Sequence, residues 1–142
     1  MKELKVVFKG KSLKYKDTLT IEEVNQIPKI KFNKNSPKAK EKLYTIMMVD
    51  ADAPSIKNPI NKYWLHWLVV NNNNILTSFK PANPPMGTGP HRYYIYLFEQ
   101  SFELNLQPIN ERAKFKLKDF IVNNQLKLIA FNMYIVENIE KK

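Results

Sequence analysis

The chain has 142 residues, 44% of them hydrophobic and 12% aromatic, with a formal net charge of +10. That length suits one domain with a real core, and residues 1–142 are expected to form one. The lack of cysteine excludes disulfides and thiolate metal sites. No apolar run resembles a signal peptide or reaches the roughly 20 residues of a membrane span, so the default expectation is a soluble, cytoplasmic protein.

In chain order, the first 42 residues hold 12 lysines against 5 acidic groups. These lysines alternate with apolar residues in Leu4-Lys-Val-Val-Phe-Lys9 and Pro28-Lys-Ile-Lys-Phe32, the pattern of half-buried strands, which predicts short strands at Val6–Phe8 and Ile30–Phe32. Such lysines keep a sheet face solvated, with peripheral attraction to an anionic membrane as the alternative. Without a zinc finger, a Gly-rich RNA-binding signature or a basic helix, no nucleic acid is expected as a partner. Thr20-Ile-Glu-Glu23 fits a capping box, with Thr20 as N-cap and Glu23 reaching back, before Pro28 ends any helix.

Leu43–Val49, Leu65–Val70, Arg92–Phe98 and Leu126–Val136 are rich in aromatic and β-branched residues and bounded by Pro, Asn or Gly clusters, so they predict central strands. Leu117, Phe120 and Ile121 at i, i+3 and i+4 predict one short amphipathic helix. The run Asn71–Asn74 is attributed to biased composition. The fold class expected is mainly β, an antiparallel β-sandwich with one or two short helices.

Both histidines, two of the three glycines and six of the nine prolines lie between Asp50 and His91. This stretch balances 4 basic against 4 acidic residues when counted over 43–110. In Gly87-Thr-Gly89-Pro-His91, glycines two apart permit positive φ and uncovered amides that suit an anion, while Pro84, Pro85 and Pro90 restrict the loop. His66 lies on an apolar strand, where a satisfied core role competes with a ligand role. His91 and Tyr93 share one strand face. Asp50 and Asp52 fall on alternate positions, so both carboxylates are expected on one face, one of them fixing a histidine tautomer so that the other ring nitrogen faces a pocket.

Catalytic readings have less support. Asp50, Asp52, His66 and His91 offer metal donors without a paired spacing such as His-x-x-x-His. Ser55, Thr88 and Tyr93 are candidate nucleophiles without a Gly-x-Ser-x-Gly elbow. General acid–base work by the histidines stays open.

Three ordered motifs carry a family resemblance: Asp50-Ala-Asp-Ala-Pro-Ser55; Trp64-Leu-His66-Trp followed by Leu-Val-Val-Asn71; and Pro84-Pro-Met-Gly-Thr-Gly-Pro-His-Arg-Tyr93 followed by Leu97-Phe-Glu-Gln100. The chain resembles the phosphatidylethanolamine-binding protein family, which includes the Raf kinase inhibitor proteins. Weaker similarity extends over Leu19–Val24, Pro28–Ile30 and Lys114–Phe120.

The resemblance implies a β-sandwich whose pocket, formed by Asp50, Pro54, Trp64, His66, Pro85, His91 and Tyr93, takes phosphate-like anions and lipid headgroups. Asn83 stands where many members have glycine before the Pro-Pro pair, and it joins Gly87 and Gly89 as a candidate ligand contact. The C-terminal helix of mammalian members is reduced here to Glu137–Lys142, which implies an open mouth. The expected function is a non-enzymatic, cofactor-free module that binds a phosphorylated small molecule or phospholipid headgroup and regulates signalling proteins. The alternatives are a kinase or protease inhibitor acting through its surface, and a metal-assisted hydrolase.

Overall fold

The computed structural model describes residues 2–32 and 42–139. Among these described residues the strands are β1 (Lys2–Glu3), β2 (Lys5–Phe8), β3 (Lys11–Ser12), β4 (Asp17–Thr18), β5 (Lys29–Lys31), β6 (Tyr44–Asp50), β7 (Trp64–Val70), β8 (Asn74–Thr77), β9 (His91–Glu99) and β10 (Lys127–Val136), with one α-helix, α1 (Leu117–Asn123). Seven strands make the large sheet in the order β1-β10-β9-β6-β7-β8, with β4 also on β10. The other three form a small sheet, β3-β2-β5. Pairing is antiparallel except where β1 and β4 run parallel to β10.

The small sheet packs on one face of the large one, as a β-sandwich requires. Leu4, Val6 and Phe8 meet Tyr93, Ile95, Leu97 and Tyr134 there. On β9 alternate residues point to opposite faces, so His91, Tyr93, Ile95 and Leu97 are buried between the sheets. Met47, Val49, Leu65, Leu68 and Phe98 face the other way and are covered by Leu104, Leu117, Phe120 and Ile121. The stripe that predicted α1 therefore does what its spacing implies. Removing a side chain such as Phe98 or Tyr134 from water contributes about 2–3 kcal/mol.

The capping box forms, since Thr20 N donates to Glu23 Oε1 at 3.0 Å and Glu23 N to Thr20 Oγ1 at 3.2 Å. It closes only a single 3-10 turn, Glu22–Val24. The asparagine run is a turn rather than a compositional accident. Asn71 and Asn72 adopt φ of 53° and 70°, a region Asn tolerates better than most residues. Of the expected C-terminal remnant, Glu137–Ile139 follow β10 without regular structure, and residues 140–142 lie outside the described residues.

The turn is tied to the end of β9 by a buried polar network. Gln100 Oε1 accepts from Thr45 Oγ1 at 2.7 Å and Asn71 N at 2.8 Å, while its Nε2 donates to Asn71 Oδ1 at 2.8 Å. Asn71 in turn holds both the carbonyl and the amide of Leu104. Truncating one member leaves several buried groups unpaired. Gln100→Ala should therefore lower the unfolding free energy in urea by about 3 kcal/mol, and a loss below about 1 kcal/mol would show that the network contributes little.

Candidate functional site

Strand register brings the motif residues together. Asp50 pairs with Trp64 on one side and Tyr93 on the other, and Tyr93 pairs with Tyr134, which makes one row across β7, β6, β9 and β10. Directly opposed residues share a face. His91 lies two residues before Tyr93, and His66 two after Trp64, so both belong to that row's face.

A β-bulge adjusts β7 at this point. Val49 pairs with Leu65 but Met48 pairs with Trp67, which leaves His66 as the extra residue. Strict alternation would send His66 and Trp67 to opposite faces. With the bulge, Trp67 joins the core between the sheets while His66 stays beside Trp64 and Tyr93, at ring distances of 4.5 and 5.2 Å. Arg112 supports the bulge from outside by donating to the carbonyls of Leu65 and His66, each at 3.1 Å, and to that of Ser78 at 2.9 Å.

Asp50 and Asp52 take different partners, contrary to the same-face expectation. Asp50 Oδ2 accepts from His91 Nδ1 at 2.7 Å, and Oδ1 accepts from the Asp52 amide at 2.7 Å. The Asp52 side chain turns to Arg92 and receives its Nε at 2.9 Å, its Nη2 at 2.8 Å and its backbone amide at 2.9 Å. Burial pushes the Asp52 carboxyl up, but the Arg92 donors outweigh that and hold it below its ordinary range.

The second nitrogen of His91 does not face the cavity as expected. Its Nε2 lies 2.8 Å from Thr88 Oγ1, and that hydroxyl is also 2.7 Å from the Pro85 carbonyl. The carboxylate, imidazole and hydroxyl are linked like a nucleophile relay, yet Thr88 does not line the cavity. The arrangement instead latches the Pro84–Pro90 loop to the sheet.

The cavity itself has a volume of about 290 Å³ and is lined by Asp50, Ala53, Pro54, Asn61, Trp64, His66, Lys80, Pro81, Asn83, Pro84, Pro85, His91 and Tyr93. Eight of the ten residues expected at the site thus meet there. Gly87 and Gly89 do not; they have φ of 82° and 81° and shape the loop behind the wall. Lys80, Asn61 and the supporting Arg112 and Thr88 were not picked out as contacts or supports. Lys80 in particular is unannounced by any motif spacing, since its carbonyl reaches His66 only through the fold.

His66 Nδ1 donates to that carbonyl at 2.6 Å, which assigns the tautomer and leaves Nε2 as an acceptor. Burial lowers its pKa to about 4, against the smaller opposing effects of the Lys80 carbonyl and Asp50. The ring is therefore neutral at pH 7. Burial, followed by the charge of Asp50, raises the Tyr93 phenol well above its ordinary value. The deep end of the cavity offers a carboxylate and a lone pair, whereas Lys80 and Asn83 stand exposed at its mouth. With Asp52 committed to Arg92, the four donors considered for a metal are not assembled, and among the described residues no group of three or more His, Asp or Glu could hold one.

A two-sheet sandwich with a polar-floored cavity at the ends of its central strands defines the structural class, and comparison with known proteins agrees. The family model for phosphatidylethanolamine-binding protein matches residues 4–76 and 71–134. The chain belongs to the phosphatidylethanolamine-binding protein family. It is similar in structure to a carboxypeptidase Y inhibitor solved with its cognate proteinase, at 23% identity and a TM-score of 0.81 over 95% of this chain and 82% of that one. A Plasmodium vivax phosphatidylethanolamine-binding protein gives 22% and 0.77, covering 95% and 84%. Escherichia coli YbcL gives 19% and 0.61, covering 96% and 99%.

The low pKa of His66 fixes a pH dependence of stability. Unfolded histidine titrates near 6.5 and the folded ring near 4, so the unfolded state binds the extra proton in between and stability falls as pH drops through that window. From pH 7 to pH 5 the loss attributable to His66 should be about 2 kcal/mol. Urea titrations of wild type and His66→Gln at both pH values check this, and equal losses in the two proteins would remove His66 as the cause.

Proposed function

We propose that the cavity is a non-enzymatic binding site for phosphate-containing groups, and that its occupancy tunes contacts with signalling proteins. The observation that carries this reading is the polarity of the lining: acceptors at the deep end, from Asp50 and His66 Nε2, and donors at the mouth, from Lys80 and Asn83. A ligand that satisfies both ends has a donor inside and an anion outside or alongside it. Phosphoethanolamine qualifies through its ammonium group, and a protonated phosphate through its hydroxyl. The family match and the latched proline loop, which limits the ordering needed on binding, support the same reading.

NMR titration at pH 7 tests it. Millimolar phosphoethanolamine should shift the His66 ring and the Trp64 indole N–H, and unchanged signals sink the proposal. Asp50→Asn decides which donor reaches the deep end. Removing a charge-assisted hydrogen bond should weaken phosphoethanolamine alone by about tenfold if the ammonium is inside, or both ligands if a phosphate hydroxyl is. No loss for either would exclude Asp50 from contact.

A second reading, protease inhibition through the surface, is favoured by the likeness to the carboxypeptidase Y inhibitor. If it holds, this chain should inhibit carboxypeptidase Y at micromolar concentration, and His66→Ala should leave that inhibition unchanged. Inhibition that disappears with His66→Ala would assign it to the cavity, and none at all would end this reading.

A further inference from the structure

A second cavity, of about 180 Å³, opens beside the small sheet and shares no lining residue with the first. It lies between the β2–β3 hairpin and the chain that runs from β4 to the 3-10 turn Glu22–Val24. Its floor is apolar, made by the buried side chains of Phe8, Leu13 and Leu19. One aromatic stack separates the two cavities. Phe8 meets Tyr134 edge-on at 5.3 Å, and Tyr134 stacks at 5.4 Å on Tyr93, which lines the first. A ligand in either cavity therefore touches its own set of side chains.

Size and charge narrow what the second cavity can hold. A dry cavity of about 150 Å³ with aliphatic and phenyl walls takes a benzene ring, so this space has room for one ring and little more. Phe8 offers such a ring the edge or offset contact that aromatic pairs prefer. Around the floor stand charges of both signs, and they differ in freedom. The acids are pinned to the backbone, Glu23 Oε1 by the Thr20 amide at 3.0 Å and Asp17 Oδ2 by the Lys14 amide at 2.9 Å. Lys9 Nζ donates to the Glu22 carbonyl at 2.6 Å. Lys11 is held least. Its side chain is 64% exposed, and among the described residues its ammonium has one polar contact, Glu23 Oε2 at 3.3 Å. An exposed pair of that length contributes little, and an ammonium has three donors. The group free to meet a ligand at this mouth is thus a cation on a flexible stem. The net charge of +10 also favours the approach of an anion over that of a cation.

We propose that this cavity is a second ligand site, taking a single-ring aromatic carboxylate whose ring rests on Phe8, Leu13 and Leu19 and whose carboxylate draws Lys11 away from Glu23. A mere packing gap beside the hairpin would show no preference for the charge of the head group and no response to Lys11. The site is independent of the headgroup reading of the first cavity, with which it has no residue in common.

NMR titration with phenylacetate tests it. At millimolar concentration phenylacetate should shift the ring signals of Phe8 and the methyl signals of Leu13 and Leu19, with the Trp64 indole N–H and the His66 ring unmoved. Acetate, which has the head without the ring, should leave all of them in place. 2-Phenylethylamine, which has the ring with the opposite charge, should bind at least about threefold more weakly. Lys11→Gln should weaken phenylacetate by about threefold without weakening the amine. Leu19→Phe, which fills the floor, should abolish binding of both.

Shifts at Trp64 and His66 in place of Phe8 put phenylacetate in the first cavity and overturn the inference. Silence at Phe8, equal shifts with acetate, or equal binding of the amine overturn it as well. So does a folded Leu19→Phe protein that binds phenylacetate as wild type does. Should Leu19→Phe fail to fold, Lys11→Gln decides, because Lys11 is exposed and its loss leaves the core intact: unchanged affinity for phenylacetate removes the carboxylate contact and the proposal with it.

Discussion

The buried carboxylate of Asp50 is the constraint around which this end of the molecule is arranged. It closes the central strand of the large sheet at 4% exposure. A buried charge without partners costs several kcal/mol, so its donors must be held in place. His91 Nδ1 and the Asp52 amide supply them. The next residue of β9, Arg92, points to the opposite side and captures the Asp52 side chain. Two consecutive basic residues thereby grip two carboxylates two positions apart, and the His91 ring passes the constraint on to Thr88 and the proline loop. The cavity wall is tied in place by the hydrogen bonds that satisfy the carboxylate behind it.

Much of this fold was legible because long strands buried on one or both faces leave a compositional trace. The runs at Leu43–Val49, Leu65–Val70, Arg92–Phe98 and Leu126–Val136 match β6, β7, β9 and β10 to within a residue or two at each end. The strands that escaped notice are β1, β3 and β4, at two residues each, and β8 at four. Two residues have no periodicity, and the parallel pairing of β1 and β4 with β10 is a property of the assembled sheet. The capping box at Thr20 and the stripe on α1 are local and came through. The Asn71 turn was misread because its meaning depends on Gln100, which is 29 residues away.

The candidate site divides along the same line. Scarce residue types pointed to the loops that line this cavity, and eight of the residues picked out by motif position lie on it. Side-chain direction was less accessible. Alternation along β6 suggested that Asp50 and Asp52 face together, but β6 ends at Asp50 and the turn that follows frees Asp52 from the pleat. The bulge that keeps His66 on the cavity side is equally silent in sequence, because it depends on which partner Met48 selects across the sheet.

These corrections alter the chemistry of the cavity more than its location. The Gly87-Thr-Gly89 turn beside His91 suggested uncovered amides that suit an anion, with one histidine nitrogen facing the pocket. Desolvation moves the His66 transition to about 4, and both His91 nitrogens are already engaged. At neutral pH the deep end therefore attracts donors, and the positive field of this face comes from the exposed lysines around it. Charge and acceptors are separated in space: Lys80 stands exposed at the mouth, whereas the deep end holds the Asp50 carboxylate and the His66 lone pair. An anion without a donor meets only the first of these, which is why the ligand proposed for the cavity carries a donor as well as an anion.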